Sequence, residues 1–454
     1  MKVLLVSAWQ DRFHGDERSR EFPSLSAIHL AALCPRGVEV AVVHEQVRPL
    51  DPERCDADLV AITATTGAAV RMYRLADRLR ERGHAVILGG PHVSLMPDEA
   101  LSHADAVAVG YAERSFPRMI RDFEQGRLAG VYRQPDGVPL DDLPVPRYDL
   151  LEDAFRFRCF VQATRGCPFQ CTFCALKGID PGFRTRPVEH VIRDIQRCEG
   201  KTWLQRKMVW FWDDNLTGSP AYARELFAKL KPLKKWWWTQ ASIDLARDTE
   251  LLRMASESGC LAIFVGVESF SAANLLQVRK KHNKVEEYRR AVKAFHDAGI
   301  AVQAGVIVGL DEDTPETLRQ VPDAIQEIGI DLAFFNVLTP FPATGLRSEL
   351  ERQGRLLDRP WSVHDSAHVA YVPSRMTPHE LEAVYWEIYR DHFSPRRTLR
   401  RFVNAARSSK LPALLLDGYV DALITTQNLL RPDRHFDDDV LPCAPLPPSS
   451  PATP

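Results

Sequence analysis

The sequence has no long apolar run, no surplus of charge of either sign and little cysteine. No stretch approaches the roughly 20 apolar residues that a transmembrane helix needs, and no signal-peptide pattern opens the chain. Its 58 Lys and Arg residues nearly balance 60 Asp and Glu residues, for a formal net charge of −2. These absences argue against nucleic acid as a partner and against a transmembrane segment. We therefore predict a cytoplasmic protein that acts on a small molecule or lipid.

Cysteine accounts for only 9 of the 454 residues. Most of the cysteines are scattered, which is typical of reduced thiols in the cytoplasm and argues against a disulfide framework. Three of them nevertheless fall within the short stretch "CPFQCTFC", as Cys167, Cys171 and Cys174. This concentration predicts a metal or cluster site.

The first part of the chain alternates short apolar runs with segments of helical period. The pattern predicts an α/β fold with a doubly wound parallel sheet in a domain spanning residues 1–125. In such sheets ligands bind beyond the carboxyl ends of the strands, and here three strand ends are rich in Gly and Thr: residues 63–67, 89–92 and 109–113. Ordinary strand-to-helix turns would explain these ends equally well. The strand candidates are "KVLLVSA", "VEVAVVH", "DLVAIT", "AVILGG" and "ADAVAVG".

A segment rich in Pro and Asp, residues 126–158, is predicted to be a linker. Residues 159–345 then contain six further strand candidates separated by helical segments, which predicts a partial (β/α)6 barrel. Residues 346–439 form a predicted helical segment, and residues 440–454, rich in Pro and Ser, are predicted to be disordered. The six candidates are "FVQATRG", "KMVWFWDD", "WWWTQASI", "LAIFVGVES", "AVQAGVIVGL" and "DLAFFNVLTP".

The three cysteines directly follow the first predicted barrel strand, where the chemistry of such barrels resides. Two kinds of site remain open. A structural zinc site usually has two separated pairs of ligands, and His190 is the only fourth ligand nearby. A four-iron cluster normally takes four thiolates, so three would leave one iron open to another ligand.

The spacing C-x-x-x-C-x-x-C after that strand, with Phe173 just before the last cysteine, resembles the radical S-adenosylmethionine superfamily. The resemblance implies that Cys167, Cys171 and Cys174 bind a 4Fe-4S cluster whose open iron chelates S-adenosylmethionine. Cleavage of the sulfonium would give a 5'-deoxyadenosyl radical, which the protein aims while excluding water. An external electron donor of the flavodoxin or ferredoxin type is implied as well.

Polar residues at later strand ends fit the same resemblance. The superfamily often binds the amino group of S-adenosylmethionine after the second barrel strand, where "FWDDN" stands here in place of the usual Gly-Gly-Glu. Later strands commonly contact the ribose, the methionine moiety and the adenine. Any one carboxylate could equally be a helix cap or surface charge, but several polar strand ends at one barrel mouth favour a site. The implied residues are Asp213, Asp214, Gln240, Ser242, Glu268, Val306 and Gly309.

A doubly wound domain before such a barrel resembles the cobalamin-binding radical S-adenosylmethionine enzymes of the class B methyltransferase type, and most of all the hopanoid methylase subgroup. "GGPH" and "GYAE" match patterns of that family, the second imperfectly, whereas the cobalt-ligating motif D-x-H-x-x-G is absent. A domain that has lost cobalamin is the alternative. The resemblance implies corrin contacts, with His92 at the corrin edge, from Thr63, Thr65, Thr66, Gly89, Gly90, His92, Gly110, Tyr111 and Glu113.

With cobalamin bound, the resemblance implies methylation of an unactivated carbon or a phosphinate-type centre, at the expense of two molecules of S-adenosylmethionine. A radical oxidoreductase or cyclase that transfers no methyl group is the alternative within the same chemistry. A non-catalytic module that binds a metal or cluster is the alternative from another class. The substrate and the oligomeric state are left open, because specificity lies in loops without a readable code.

Overall fold

The computed structural model describes residues 1–10 and 22–408 except positions 136, 181 and 199, together with the single residues 413, 418 and 424. The predicted disordered tail, residues 440–454, lies outside this part of the chain. Two parallel six-stranded sheets and their helices make up the described structure, which confirms the predicted α/β class.

The amino-terminal sheet has six parallel strands in the order β2-β1-β3-β4-β5-β6. Apolar side chains cover both of its faces, as expected for a doubly wound sheet. The chain leaves β1 in one direction for β2 and returns on the other side for β3, so a switch point lies beside β1. The strands are β1 (Lys2–Ser7), β2 (Glu39–His44), β3 (Leu59–Thr63), β4 (Ala85–Gly89), β5 (Ala106–Val109) and β6 (Gly130–Arg133).

All five strands predicted for this sheet are present, but β6 lies within the segment predicted to be a linker. It pairs with β5 at the edge of the sheet, and only Tyr132 of its four residues is buried. An edge strand this short has no alternating pattern of apolar residues and therefore no periodic signal. The helices of this part are α1 (Leu25–Ala32), α2 (Ala69–Glu81), α3 (Pro91–Leu95), α4 (Pro97–Leu101) and α5 (Ser115–Glu124).

The second sheet runs β14-β13-β12-β11-β10-β7, with every pair of neighbours parallel. Consecutive strands therefore lie side by side, as in a partial barrel. The strands are β7 (Phe160–Val161), β10 (Met208–Phe211), β11 (Trp236–Ala241), β12 (Cys260–Glu268), β13 (Ala301–Val308) and β14 (Leu332–Val337).

The first barrel strand, predicted as residues 160–166, is split in two. After β7 the chain leaves the sheet, and β8 (Thr164–Gly166) pairs antiparallel with β9 (Phe183–Thr185). The split has a physical cause, because the carboxylate of Asp213 accepts the backbone N–H groups of Ala163 and Thr164. These two N–H groups therefore cannot donate to a neighbouring strand of the barrel sheet.

Helices surround the barrel sheet. Along β11, Trp237 packs against Phe227 of the helix layer, whereas the indole of Trp238 donates to Gln303 at 2.9 Å. These helices are α6 (Leu176–Ile179), α7 (Val188–Arg197), α8 (Trp203–Lys207), α9 (Pro220–Leu230), α10 (Thr249–Glu257), α11 (Ala272–Gln277), α12 (Tyr288–Asp297), α13 (Pro315–Arg319), α14 (Val321–Ile328) and α15 (Gly345–Arg352).

The carboxyl-terminal segment contributes α16 (Pro378–His392) and α17 (Pro395–Ser408). A capping box between Thr377 and Glu380 begins α16, whose buried face packs on α13 and α14. Among the described residues, no helix combines the length and apolar character needed to cross a bilayer.

Candidate active site at the carboxyl ends of both sheets

The three clustered cysteines lie on the loop between β8 and α6, and each is a half-buried free thiol. The loop is compact, since the N–H of Cys174 donates to the carbonyl of Cys171 at 3.2 Å. Burial raises the pKa of Cys171 to about 11, and the neighbouring Lys280 opposes that rise. Among the described residues, no three His, Cys, Asp or Glu side chains converge on a position for one metal ion.

Two adjacent carboxylates after β10 have different surroundings. Asp213 is 1% exposed and accepts hydrogen bonds from Ala163 and from the backbone and hydroxyl of Thr164, the hydroxyl at 2.6 Å. Burial raises the pKa of Asp213 to about 7. Asp214 is exposed, and its Oδ2 accepts the Gly166 N–H at 3.1 Å. Asp213 therefore anchors the strand before the cysteines, and Asp214 keeps acceptor capacity toward the barrel mouth.

We expect Asp213→Ala to lower the free energy of unfolding by roughly 3 kcal/mol, because it leaves several buried donors unpaired. The matched variant Asp214→Ala is expected to retain stability within about 0.5 kcal/mol and to weaken S-adenosylmethionine binding. Denaturant unfolding and equilibrium dialysis measure the two effects. Equal losses of stability in both variants would contradict this division of roles.

Glu268 and Lys280 form a buried ion pair beside the cysteines. Their side chains are 11% and 12% exposed, and Lys280 Nζ lies 2.5 Å from Glu268 Oε1. Burial lowers the pKa of Lys280, but the charges of Glu268 and Cys171 outweigh it and raise that pKa above its ordinary value. The ammonium group of Lys280 is therefore protonated at pH 7 and lies next to the three thiols.

The backbone around Glu268 is shaped to hold this pair. Glu268 has φ of 64°, at a register shift between β12 and β13, and such strained residues concentrate at functional sites. A Cβ on Gly266 would lie 2.2 Å from Glu268 Oε1 and 2.4 Å from Lys280 Nζ, so only glycine leaves room. Asn283 donates to the carbonyls of Gly266 and Val267 at 2.8 and 3.0 Å and fixes the bulge.

Three other predicted contacts are Ser242, Gln240 and Phe173. Ser242 follows β11, and its Oγ is buried without a hydrogen-bond partner in the described structure. The side chain of Gln240 is half-buried at the end of β11, and Phe173 packs partly buried against the core. Ser242 thus has an open hydrogen-bonding position for a ligand.

The backbone groups of Val306 and Gly309 make contacts within the protein. Val306 is 1% exposed and pairs within the sheet. The N–H of Gly309 donates to Asp313 Oδ2 at 2.9 Å, and its carbonyl accepts the hydroxyl of Tyr371. Tyr371 of the carboxyl-terminal segment thus contacts the Gly309 carbonyl, and the contact of Val306 and Gly309 with an adenine ring stays a prediction.

The strand-end loops of the amino-terminal sheet are tied to one another. Gly90 has φ of 94°, and a Cβ there would lie 2.2 Å from the hydroxyl of Thr63. The hydroxyl of Ser94 donates to the Gly90 carbonyl at 2.9 Å and accepts the N–H of Gly110 at 2.9 Å. Gly89 is half-buried and Thr65 is exposed. The loops after β3, β4 and β5 thus form one connected surface.

His92 lies beneath this surface, fully buried. Its Nε2 is 3.1 Å from the Tyr73 hydroxyl and its Nδ1 is 3.4 Å from Thr66 Oγ1. Trp361 of the carboxyl-terminal segment packs edge-on against the ring. Burial lowers the pKa of His92 to about 4, so the ring is neutral at pH 7. The contact with a corrin edge stays a prediction, and the geometry adds a second role in fixing the Thr66 loop.

An ion pair connects the amino-terminal loops to the cysteine-bearing strand. Arg165 in β8 lies 2.6 Å from Glu113 and stacks over Tyr111 at 3.9 Å from the ring centroid. Although burial raises the pKa of Glu113, the Arg165 guanidinium holds it below its ordinary value. Nη1 of Arg165 is buried without a hydrogen-bond partner among the described residues. A free donor thus points into the junction of the two sheets.

Three residues of the site were missed by the sequence analysis. Lys280 stands in the basic run "RKKHNK", and Arg165 is a single charge in "QATRG"; neither pattern gives a sign of burial. Asn215 follows the two aspartates and is 3% exposed, with its amide 4.0 Å from Cys167 Sγ. The signal that could have found Asn215 is its place in "FWDDN", because a polar residue at a strand end is a candidate in every barrel.

The family comparisons agree with this geometry. Residues 161–325 match the model of the radical SAM superfamily, and residues 16–120 match the model of the B12 binding domain. A thiol-bearing partial barrel joined to a B12 binding domain defines a radical S-adenosylmethionine enzyme with a cobalamin-binding domain.

The curated relatives include several methyltransferases and an anaerobic magnesium-protoporphyrin IX monomethyl ester cyclase of Rubrivivax gelatinosus, which is 26% identical over 356 residues. An uncharacterized methyltransferase of Synechocystis sp. is 30% identical over 440 residues, covering 91% of this chain and 80% of its own. The hopanoid C-2 methylase of Rhodopseudomonas palustris is 27% identical over 404 residues, covering 85% of this chain and 74% of its own. The chain belongs to the cobalamin-dependent radical S-adenosylmethionine methyltransferases, which confirms the predicted family and its enzymatic nature.

A solved structure shares the fold across nearly the whole length. The radical S-adenosylmethionine methyltransferase TsrM from Kitasatospora setae, determined with cobalamin and a [4Fe-4S] cluster, superposes with a TM-score of 0.68 at 16% identity. The match covers 94% of this chain and 99% of TsrM. The order of a doubly wound sheet followed by a partial barrel is thus confirmed.

The cofactors of the enzyme are a 4Fe-4S cluster, S-adenosylmethionine and cobalamin, as the resemblance implied. The donor sets present here fit them. Soft thiolates suit an iron-sulfur cluster, and the three free thiols share one loop. The unpartnered hydroxyl of Ser242 and the free guanidinium N–H of Arg165 are donors that a polar ligand would satisfy.

Proposed function

We propose that the enzyme methylates an unactivated carbon, or a phosphinate-type centre, of a small molecule or lipid. The observation that carries the proposal is the Arg165–Glu113 pair, because it connects the cysteine-bearing strand directly to the loops of the B12 binding domain. The hopanoid methylase relative supports a hydrophobic substrate. When bound, the cluster, S-adenosylmethionine and cobalamin supply the radical and the methyl group.

Cys167, Cys171 and Cys174 would hold the cluster. Lys280 would offset the negative charge of the cluster and would form an ion pair with the carboxylate of S-adenosylmethionine. Asp214 would accept hydrogen bonds from the ammonium group of S-adenosylmethionine. Ser242 and Gln240 would donate to the ribose or the methionine moiety, with Glu268 held in place by Lys280. Asp213, Asn215 and Asn283 act as positioning residues, because their contacts fix the chain around the thiols.

The loops after β3, β4 and β5 would hold the corrin. Backbone and hydroxyl groups of Thr63, Thr65 and Gly110 would face its amide substituents, and Tyr111 would lie against its edge under the Arg165 guanidinium. No imidazole on the described loops is free to reach cobalt, because both ring nitrogens of His92 are engaged. We therefore assign His92 to the support of the loop and not to the metal.

Anaerobic reconstitution with iron, sulfide and hydroxocobalamin, followed by reduction and mass spectrometry of the S-adenosylmethionine products, tests the proposal. Formation of both S-adenosylhomocysteine and 5'-deoxyadenosine is the expected result. Production of 5'-deoxyadenosine alone would favour a radical oxidoreductase or cyclase. A protein with bound zinc and neither product would be a non-catalytic module.

The Arg165–Glu113 pair gives a separate prediction. Glu113→Gln removes the charge at constant shape and should weaken hydroxocobalamin binding about tenfold, since the loop after β5 loses its anchor. The exposed Glu124 on α5 is a matched control, and Glu124→Gln should bind like the parent. Absorbance titration measures the dissociation constant, and iron content should be the same in all three proteins. Unchanged affinity in Glu113→Gln would remove the pair from the cobalamin site.

A further inference from the structure

One surface loop, residues 279–284 with the sequence "RKKHNK", is strongly basic and reaches the cluster site through Lys280. We call it the basic loop. Its inner residue, Lys280, makes the buried pair with Glu268 beside the cysteines. Arg279, Lys281 and Lys284 are exposed on its outer side. Within the described structure neither Arg279 nor Lys281 forms an ion pair, so two cations face solvent without a carboxylate.

The same loop touches the cysteine-bearing loop through stacked rings. His282 stacks on Phe169 with ring centroids 3.6 Å apart and an interplanar angle of 13°. Phe169 lies between Cys167 and Cys171, and its neighbours Pro168 and Gln170 are exposed. The cluster loop therefore reaches the surface at the point where the basic loop covers it.

An open cavity of ≈ 380 Å³ adjoins the stacked pair, and His282 and Lys284 line it. Two further cations, Arg247 and Arg290, line the cavity as well and share the carboxylate of Glu287 with Lys284. Cations outnumber carboxylates on this face, although the whole chain has a net charge of −2. The carboxylates that line the cavity are Asp244 and Glu287.

We propose that the basic loop and this cavity form the docking surface for an acidic one-electron donor protein of the flavodoxin or ferredoxin class. A donor docked here would stand over the Phe169–His282 pair, where the basic loop covers the cluster loop. One electron would leave the reduced donor and enter the oxidised cluster, without bond formation or proton transfer. Opposite charges on the two partners would speed their encounter and make it depend on salt.

The test is the triple charge reversal Arg279→Glu, Lys281→Glu and Lys284→Glu. The matched control reverses three exposed arginines on other elements, Arg36, Arg48 and Arg197, with the same change of net charge. Formation of 5'-deoxyadenosine by the reconstituted enzyme is measured with dithionite and, separately, with a protein donor, namely bacterial flavodoxin or ferredoxin with its NADPH-dependent reductase. Calorimetry with the oxidised donor measures binding without turnover.

We expect the loop variant to bind the donor about tenfold or more weakly and to lose donor-driven turnover by a similar factor, most strongly at low salt. Dithionite-driven turnover should be unchanged, which separates this inference from the proposed function on which it rests. The control should match the parent in every assay. Parental donor affinity in the loop variant, an equal loss in the control, or no donor-driven turnover in a parent active with dithionite would overturn the proposal.

Discussion

We expect Cys171→Ala to abolish 5'-deoxyadenosine formation and to lower the iron bound after anaerobic reconstitution. With alanine at this position only two thiolates remain, which are too few to hold a four-iron cluster with one open iron. Cys171 lies in the middle of the loop, where its thiol interacts electrostatically with those of Cys167 and Cys174. Iron and sulfide assays, together with product analysis, measure the effect.

The matched control for this variant is Cys55→Ala. Cys55 is also a half-buried free thiol, but it lies in the amino-terminal part, away from the cluster loop. The control should retain full iron content and product formation. Retained 5'-deoxyadenosine formation in Cys171→Ala would contradict the cluster assignment.

Lys280→Met is expected to weaken S-adenosylmethionine binding about 10- to 100-fold, because it removes a charge-assisted partner worth roughly 1.5–3 kcal/mol. It also leaves the carboxylate of Glu268 buried without a counter-charge, which should lower the free energy of unfolding by about 3–5 kcal/mol. Equilibrium dialysis and denaturant unfolding measure the two effects separately.

Two further variants distinguish binding from folding. The double variant Lys280→Met with Glu268→Gln neutralises both members of the pair and should recover most of the stability but not the affinity. Lys293→Met removes an exposed lysine of α12 and should change neither property. Affinity restored in the double variant would show that Lys280 only supports the fold.

Most of the fold could be predicted because each buried parallel strand reads as a continuous apolar run, as "LAIFVGVE" in β12 and "AVQAGVIV" in β13 do. Strand β6 gave no such signal, because only one of its residues is buried. The break between β7 and β8 was also hidden. The break depends on Asp213, which lies 50 residues further along the chain and accepts a hydrogen bond from the N–H of Ala163.

Site residues could be predicted where a sequence motif marks them. They could not be predicted where two adjacent residues of the same type differ only in whether the side chain points inward or to solvent. The cysteine spacing located the cluster loop, whereas Asp213 and Asp214 are identical in sequence terms and opposite in burial. Lys280 and Lys281 show the same limit, since one points to Glu268 and the other to solvent. A loop has no period, so the sequence cannot tell which of two adjacent side chains faces inward.

The measurement that tests the account most directly is Mössbauer spectroscopy of protein reconstituted with ⁵⁷Fe, recorded before and after addition of S-adenosylmethionine. Three cysteines and one open corner predict four irons per chain, of which one changes its signal when S-adenosylmethionine binds. A protein that takes up only zinc, or whose four irons are equivalent and unaffected by S-adenosylmethionine, would contradict the account.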